Sequence, residues 1–368
     1  MNHGFTELKY KQDWQECKER TEAWWHGEII DRAAIRITAP KKEIPQEEVS
    51  GADLTQEELE DYFTNPERAI PRFKERIENT YWAGEAFPVM YPVSISMVAI
   101  LANYLGCPLK FVNKDTTWSD PIIDDWEQWE DLSALSFDPE NKWWKKSRKL
   151  LEKGSRGAPG NYYVGMPDLN GPSEILSRLR NSQRLAVDTV RRPQKVKEAI
   201  DQINYAWYRY WQASQGLIHQ YVGGYIFMMG IWSEVPATDL QSDFSCMISP
   251  ESFDELILPS VRQQTEWVPR TIYHLDGPDA TRHLDSLLSL EKLDGIQWVP
   301  GAGAPPASEW ISLLRKIQEA GKLVYIAVEK EEVEILLDKL DPEGLLMTTR
   351  CDSPREADEL LEKVEQWT

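Results

Sequence analysis

From Thr271 to Trp367 the chain repeats one unit: a short apolar strand followed by an amphipathic helix. The strands read Thr271–Leu275, Gly295–Val299, Leu323–Val328 and Leu345–Thr349. The helices read Pro278–Leu288, Ser308–Ala320, Glu331–Leu340 and Pro354–Trp367. Successive strand–helix units require a parallel sheet, because each crossover must bring the chain back to the same end of the sheet. Either an open doubly wound sheet or a closed ring satisfies this. No Gly-x-Gly-x-x-Gly turn opens any unit, and 368 residues with further strands upstream suit the ring. The expectation is an α/β fold, a (β/α)₈ TIM barrel with extra N-terminal helices.

Upstream the pattern is less regular. Trp14–Ile30 reads as a helix with an aromatic face, and Ala33–Ile37 as a first strand. Leu54–Tyr62 and Pro66–Tyr81 have helical spacing, the first opening on a capping box at Thr55. Phe87–Tyr91 reads as a second strand and Ile95–Leu105 as its helix. The Trp- and acid-rich stretch from Pro121 to Gly160 reads as an excursion beside the barrel. Asn161–Gly165 is a strand leading to a helix from Ser173, Pro193–Ser214 a long helix, and Tyr221–Ile231 an apolar run of strand character. No linker divides the chain and no internal repeat is visible, so residues 1–368 form one domain, with 1–80 its mainly helical entry segment.

The formal net charge of −20 argues against a nucleic-acid partner, which needs a basic face. No apolar run approaches the length of about 18 residues needed for a membrane span, and Met1–Gln15 lacks an apolar signal stretch. Four scattered cysteines, Cys17, Cys107, Cys246 and Cys351, form no CxxC pair. These features fit a reducing, cytoplasmic setting with a small-molecule substrate.

In a barrel, polar residues just after a strand sit at the working mouth. Those positions hold Asp168, Asn170 and Glu174; Glu234, Gln241 and Asp243; His274 and Asp276; Gln297 and Trp298 before a Gly301/Gly303 loop; Glu329; and Thr349, Arg350 and Cys351. Bland roles compete: Asp168 and Asp276 as helix caps, His274 as a core histidine, Cys351 as an inert thiol. His274-x-Asp276 places both side chains on one strand face, suiting a metal pair or a carboxylate that orients an imidazole. With Cys351 the set could hold Zn²⁺ and keep a fourth position open.

The stretches YYVGMPDLNGPSEIL, LQSDFSCMISPESFDELILP, TIYHLDGPDA and LDGIQWVPGAG, with the Cys351 segment, resemble the uroporphyrinogen decarboxylase superfamily. That superfamily includes the cobalamin-dependent methyltransferases, which move methyl groups between corrinoid proteins and thiol or folate acceptors. The resemblance implies a (β/α)₈ barrel over most of the chain. The decarboxylases carry an Arg-rich N-terminal motif and an acidic residue at the second strand. Here RAAIRITAPKKE retains Arg36, Lys41 and Lys42 as cations, and FPVMYPVSIS has no carboxylate, which argues against uroporphyrinogen as substrate. The zinc-dependent methyltransferases carry His-x-Cys where this chain has His274-Leu275-Asp276, with a further Cys near the last strand, where Cys351 falls.

The expected activity is therefore methyl transfer involving a corrinoid protein or folate, with zinc as a candidate cofactor. His274, Asp276 and Cys351 are its expected ligands; Asp243, His274 and Asp276 are the catalytic candidates. Asp168, Asn170, Gln297, Trp298 and Glu329 are the expected substrate contacts. Two other readings stay open: a decarboxylase or lyase of a tetrapyrrole or smaller acid, with Asp243 or Asp276 handling the proton, and a non-catalytic barrel binding a corrinoid or tetrapyrrole.

Overall fold

The structure, a computed structural model, describes residues 7–42, 54–94, 97, 99–219 and 223–368. Its strands are β1 (Ala34–Pro40), β2 (Thr80–Gly84), β3 (Val89–Met90), β4 (Leu109–Phe111), β5 (Thr117–Ser119), β6 (Tyr163–Val164), β7 (Tyr225–Ile226), β8 (Trp232–Ser233), β9 (Ala237–Gln241), β10 (Arg270–Asp276), β11 (Gly295–Val299), β12 (Leu323–Ala327) and β13 (Leu345–Arg350). A seven-stranded sheet runs β2-β1-β13-β12-β11-β10-β9, parallel throughout except for antiparallel β2. β3 and β6 form a separate parallel pair.

The strand–helix units after residue 270 agree with the sequence expectation to within a few residues, and β11 and the helix Pro354–Trp367 agree at both ends. Strong local signals explain this agreement. Ser353 caps the last helix by accepting from Glu356 N–H at 3.3 Å, and Pro354 occupies the first turn, where its missing N–H costs nothing. The Thr55 capping box is also present.

The closed eight-stranded ring expected from the sequence is corrected to a TIM-barrel-like arrangement. In chain order β1, β3, β6 and β9–β13 follow a barrel's sequence, but among the described residues no ladder joins β1 to β3 or β6 to β9. The edges are used differently. β2 occupies the free edge of β1, and Met166 N–H, just past β6, donates to Ile226 C=O at 3.1 Å. Of the apolar run Tyr221–Ile231, residues 221 and 222 lie outside the described residues; among the described ones only the two residues of β7 pair, in a hairpin with β8, and Phe227, Met229 and Ile231 are buried in the core. The expected helix Ile95–Leu105 is helical over Ile100–Tyr104; residues 95, 96 and 98 lie outside the described residues.

The helix Trp14–Trp25 closes the amino-terminal end of the strands. Trp24 Nε1 donates to Gly344 C=O at 3.0 Å, just before β13, and the Arg270 guanidinium, opening β10, lies 5.1 Å from the Trp25 ring centre. Aromatic bodies seal the apolar layer here while their N–H groups find partners. No described helix is long and apolar enough to cross a membrane.

Candidate active site

Neighbouring parallel strands place paired residues on the same face. The register pairs Gln241 with His274, His274 with Gln297, and Gln297 with Tyr325. This makes one lateral row of amide, imidazole, amide and phenol across β9–β12. Asp276 and Asp239 stand two residues above and below that row, on the same faces of β10 and β9. The period of two that aligns Gln297 turns Trp298 the other way. Trp298 is fully buried on the outer face, its ring 4.9 Å from that of Trp310, so the sequence expectation of a substrate contact there is corrected to a packing role.

His274 Nδ1 lies 2.7 Å from Gln297 Oε1. An amide oxygen only accepts, so Nδ1 is the donor in this contact, and in the neutral ring the lone pair is then on Nε2. Ligand atoms of Asp243, His274 and Asp276 all lie within 4.8 Å of one another. Asp243 begins the short 3₁₀ turn Asp243–Met247 after β9, and Asp276 ends β10, so both carboxylates stand at the carboxyl rim. Partial desolvation at the rim, with Asp276 adding its charge, pushes the Asp243 carboxyl up; His274 and Arg178 oppose the shift.

Cys351 does not join them. Its backbone N–H donates to Thr38 C=O, and its buried side chain borders an outer cleft lined by Lys330, Glu334 and Glu356, between β13 and the final helix. Burial pushes its thiol up to about 11, which disfavours the thiolate a metal would need. Of the three residues expected to hold a metal, His274 and Asp276 lie together and Cys351 lies apart, while Asp243 joins the pair.

Deeper in the mouth, Asp168 Oδ1 accepts from Gln241 Nε2 at 3.1 Å and from Asn170 N–H at 3.0 Å and Nδ2 at 3.1 Å. Asn170 takes a left-handed backbone, φ 55°, closing this Asx turn, and its Oδ1 is buried without a partner among the described residues. Burial, opposed by these hydrogen bonds, raises the Asp168 carboxyl. Asp239 is pushed to about 7, by burial first and by the neighbouring Asp168 second. Two such carboxyls hold a proton near neutrality that isolated ones would release. Asp239 escaped the sequence reading because β9 was not expected; its alternating ATDLQ, before an Asp-led turn, was the available signal. Tyr325 was missed for a plainer reason: it sits inside a strand rather than after it.

The remaining expected residues are peripheral. Glu329 is exposed and caps the turn Lys330–Glu332, and Glu174 pairs with Arg178 at 3.3 Å while accepting from Phe244 N–H at 3.1 Å.

No protein-family model and no curated protein matches the sequence. Among solved structures, the fold is similar to that of a methyltransferase from Methanosarcina mazei, with a TM-score of 0.59 over 95% of this chain and 98% of that one. The sequences are 13% identical, so the likeness establishes a shared fold and nothing finer.

Proposed function

We propose that this chain is a methyl-transferring enzyme of the uroporphyrinogen decarboxylase superfamily. It would take the methyl group from a corrinoid protein or folate and pass it to a small-molecule nucleophile. The observation that carries this is the convergence of Asp243, His274 and Asp276 at the carboxyl rim of a fold shared with a methyltransferase.

The donor set fits a divalent cation such as zinc. One neutral imidazole and two carboxylates are competent ligands, and three protein donors leave a position for an acceptor. Bound there, the cation would lower the acceptor's pKa and yield a nucleophile at neutral pH. Gln297 fixes the His274 tautomer that such a role needs, as outer hydrogen-bond partners of ligating histidines do. Asp168 and Asp239 lie in the same mouth, where the raised Asp239 carboxyl can take the proton that leaves the acceptor.

The test pairs metal content with turnover. Asp243→Asn and His274→Ala should each lose most bound zinc and methyl transfer to a thiol, while Cys351→Ser should retain both. Retention of zinc in Asp243→Asn, with loss in Cys351→Ser, would overturn the ligand set. Full zinc occupancy with no transfer from methylcobalamin or methyltetrahydrofolate would overturn the activity.

A second reading draws on Asp239 alone. A carboxyl near neutrality beside a second one is also the proton donor that decarboxylation requires after carbon dioxide leaves. Release of carbon dioxide from an acid substrate, abolished in Asp239→Asn and indifferent to chelator, would favour it.

A further inference from the structure

Asp243 stands on a support that does not hold itself. The 3₁₀ turn that carries it, Asp243–Met247, is short, and the Ser242 side chain does not cap it. The leading N–H groups of such a turn have no partner within it and must be satisfied from outside. Three residues at the start of the helix Pro172–Arg180, which follows β6, reach across to it. Gly171 lies so close to the Gln241 carbonyl that there is no room for a Cβ, Ser173 Oγ donates to Ser242 Oγ at 2.7 Å, and Glu174 Oε2 accepts from Phe244 N–H at 3.1 Å.

Glu174 is the unusual member of the three. An acid in the first turn of a helix ordinarily serves that helix's own leading N–H groups. Here Gly171, at the helix start, has no side chain to complete a capping box, and the carboxylate is turned onto another element. Glu174 is 7% exposed, and its second oxygen lies 3.3 Å from Arg178 Nη2, one turn along. A buried carboxylate is costly unless hydrogen-bonded and paired, so both partners fix the direction of this side chain. Further along the turn His283 Nε2 donates to Ser245 C=O at 2.9 Å, which leaves the Asp243 end to Glu174.

We infer that Glu174 is a positioning residue for Asp243. Through Phe244 N–H it holds the peptide that follows Asp243, and so aims the Asp243 carboxylate towards His274 and Asp276. It acts through the backbone rather than on a reactant, so its removal is felt as the partial loss of one ligand. The inference rests on the metal-binding reading of that cluster.

Two variants of the full chain test it: Glu174→Met fills the same space without an acceptor, and Glu174→Gln keeps an acceptor oxygen. In the metal-free protein, hydrogen–deuterium exchange of the peptide spanning Asp243–Met247 should run about tenfold faster with Met, with Arg270–Asp276 unchanged, and return most of the way to wild type with Gln. Zinc affinity, read by chelator competition, should fall about tenfold to a hundredfold with Met and about threefold or less with Gln. Added to Asp243→Ala, Glu174→Met should cost no further zinc affinity, because the group it positions is already gone. General loosening of the fold would lower affinity in both backgrounds. Wild-type exchange in the Met variant, wild-type zinc affinity in it, or an equal further loss on top of Asp243→Ala would each overturn the inference. A wild-type chain that binds no zinc would overturn the ligand reading instead, and the exchange result would then decide the positioning alone.

Discussion

Gln297 Oε1 sits 2.7 Å from His274 Nδ1, and this contact between adjacent strands decides which ring nitrogen carries the proton. The pairing follows from register alone, since His274 and Gln297 are direct partners in the β10–β11 ladder.

Gln297→Leu should therefore weaken zinc binding by about tenfold to a hundredfold, because the imidazole loses its tautomer and its orientation. Gln297→Glu, which keeps an acceptor at the same place, should bind close to wild type. Competition with a chromophoric chelator measures both, and a Leu variant with wild-type affinity would dissociate Gln297 from the site.

Asp239 gives the fold a pH signature. Its folded pKa, about 7, lies above the ordinary carboxylate value near 3.9, so the native state holds the proton more tightly than the unfolded chain. Its contribution to stability is then complete below about pH 4 and declines as pH rises through 7. Asp239→Asn should flatten this part of the profile, gaining on the order of 3–4 kcal/mol over wild type at pH 8 relative to the same comparison at pH 4. Urea denaturation at the two pH values reads the difference directly; parallel profiles would show that Asp239 titrates normally.

Gly230 and Gly321 both have positive φ, +72° and +71°, but only the Gly230 hydrogen faces a close neighbour, Arg36. Alanine at either position should cost about 1 kcal/mol for its backbone conformation. Gly230→Ala should cost a further 1–2 kcal/mol or so, as Arg36 is pushed from Tyr325. Thermal unfolding of the two variants side by side isolates the clash, and equal losses would mean that Arg36 yields freely.

The carboxyl-terminal half was legible because each of its strands is bounded by a turn and followed by a helix with a clear stop. The Trp298 error came from reading positions near a strand's end without applying the strand's own alternation: Gln297 and Trp298 cannot both face the mouth. Closure was not legible, because it depends on which edge β2 and Ile226 occupy, and neither leaves a periodic trace. His274 and Asp276 stood out by spacing, whereas the choice between Asp243 and Cys351 depended on how the short turn after β9 and the segment after β13 aim their side chains.

With Trp24 and Trp25 stoppering one end of the strands, the interior is a cup rather than a tube. On the proposed methyl-transfer reading, reactant and product would share one opening, so each turnover would have to empty the cup before it could refill. On that same reading a bulky carrier would offer its group from above the lip, and product departure would become a natural bottleneck for the cycle.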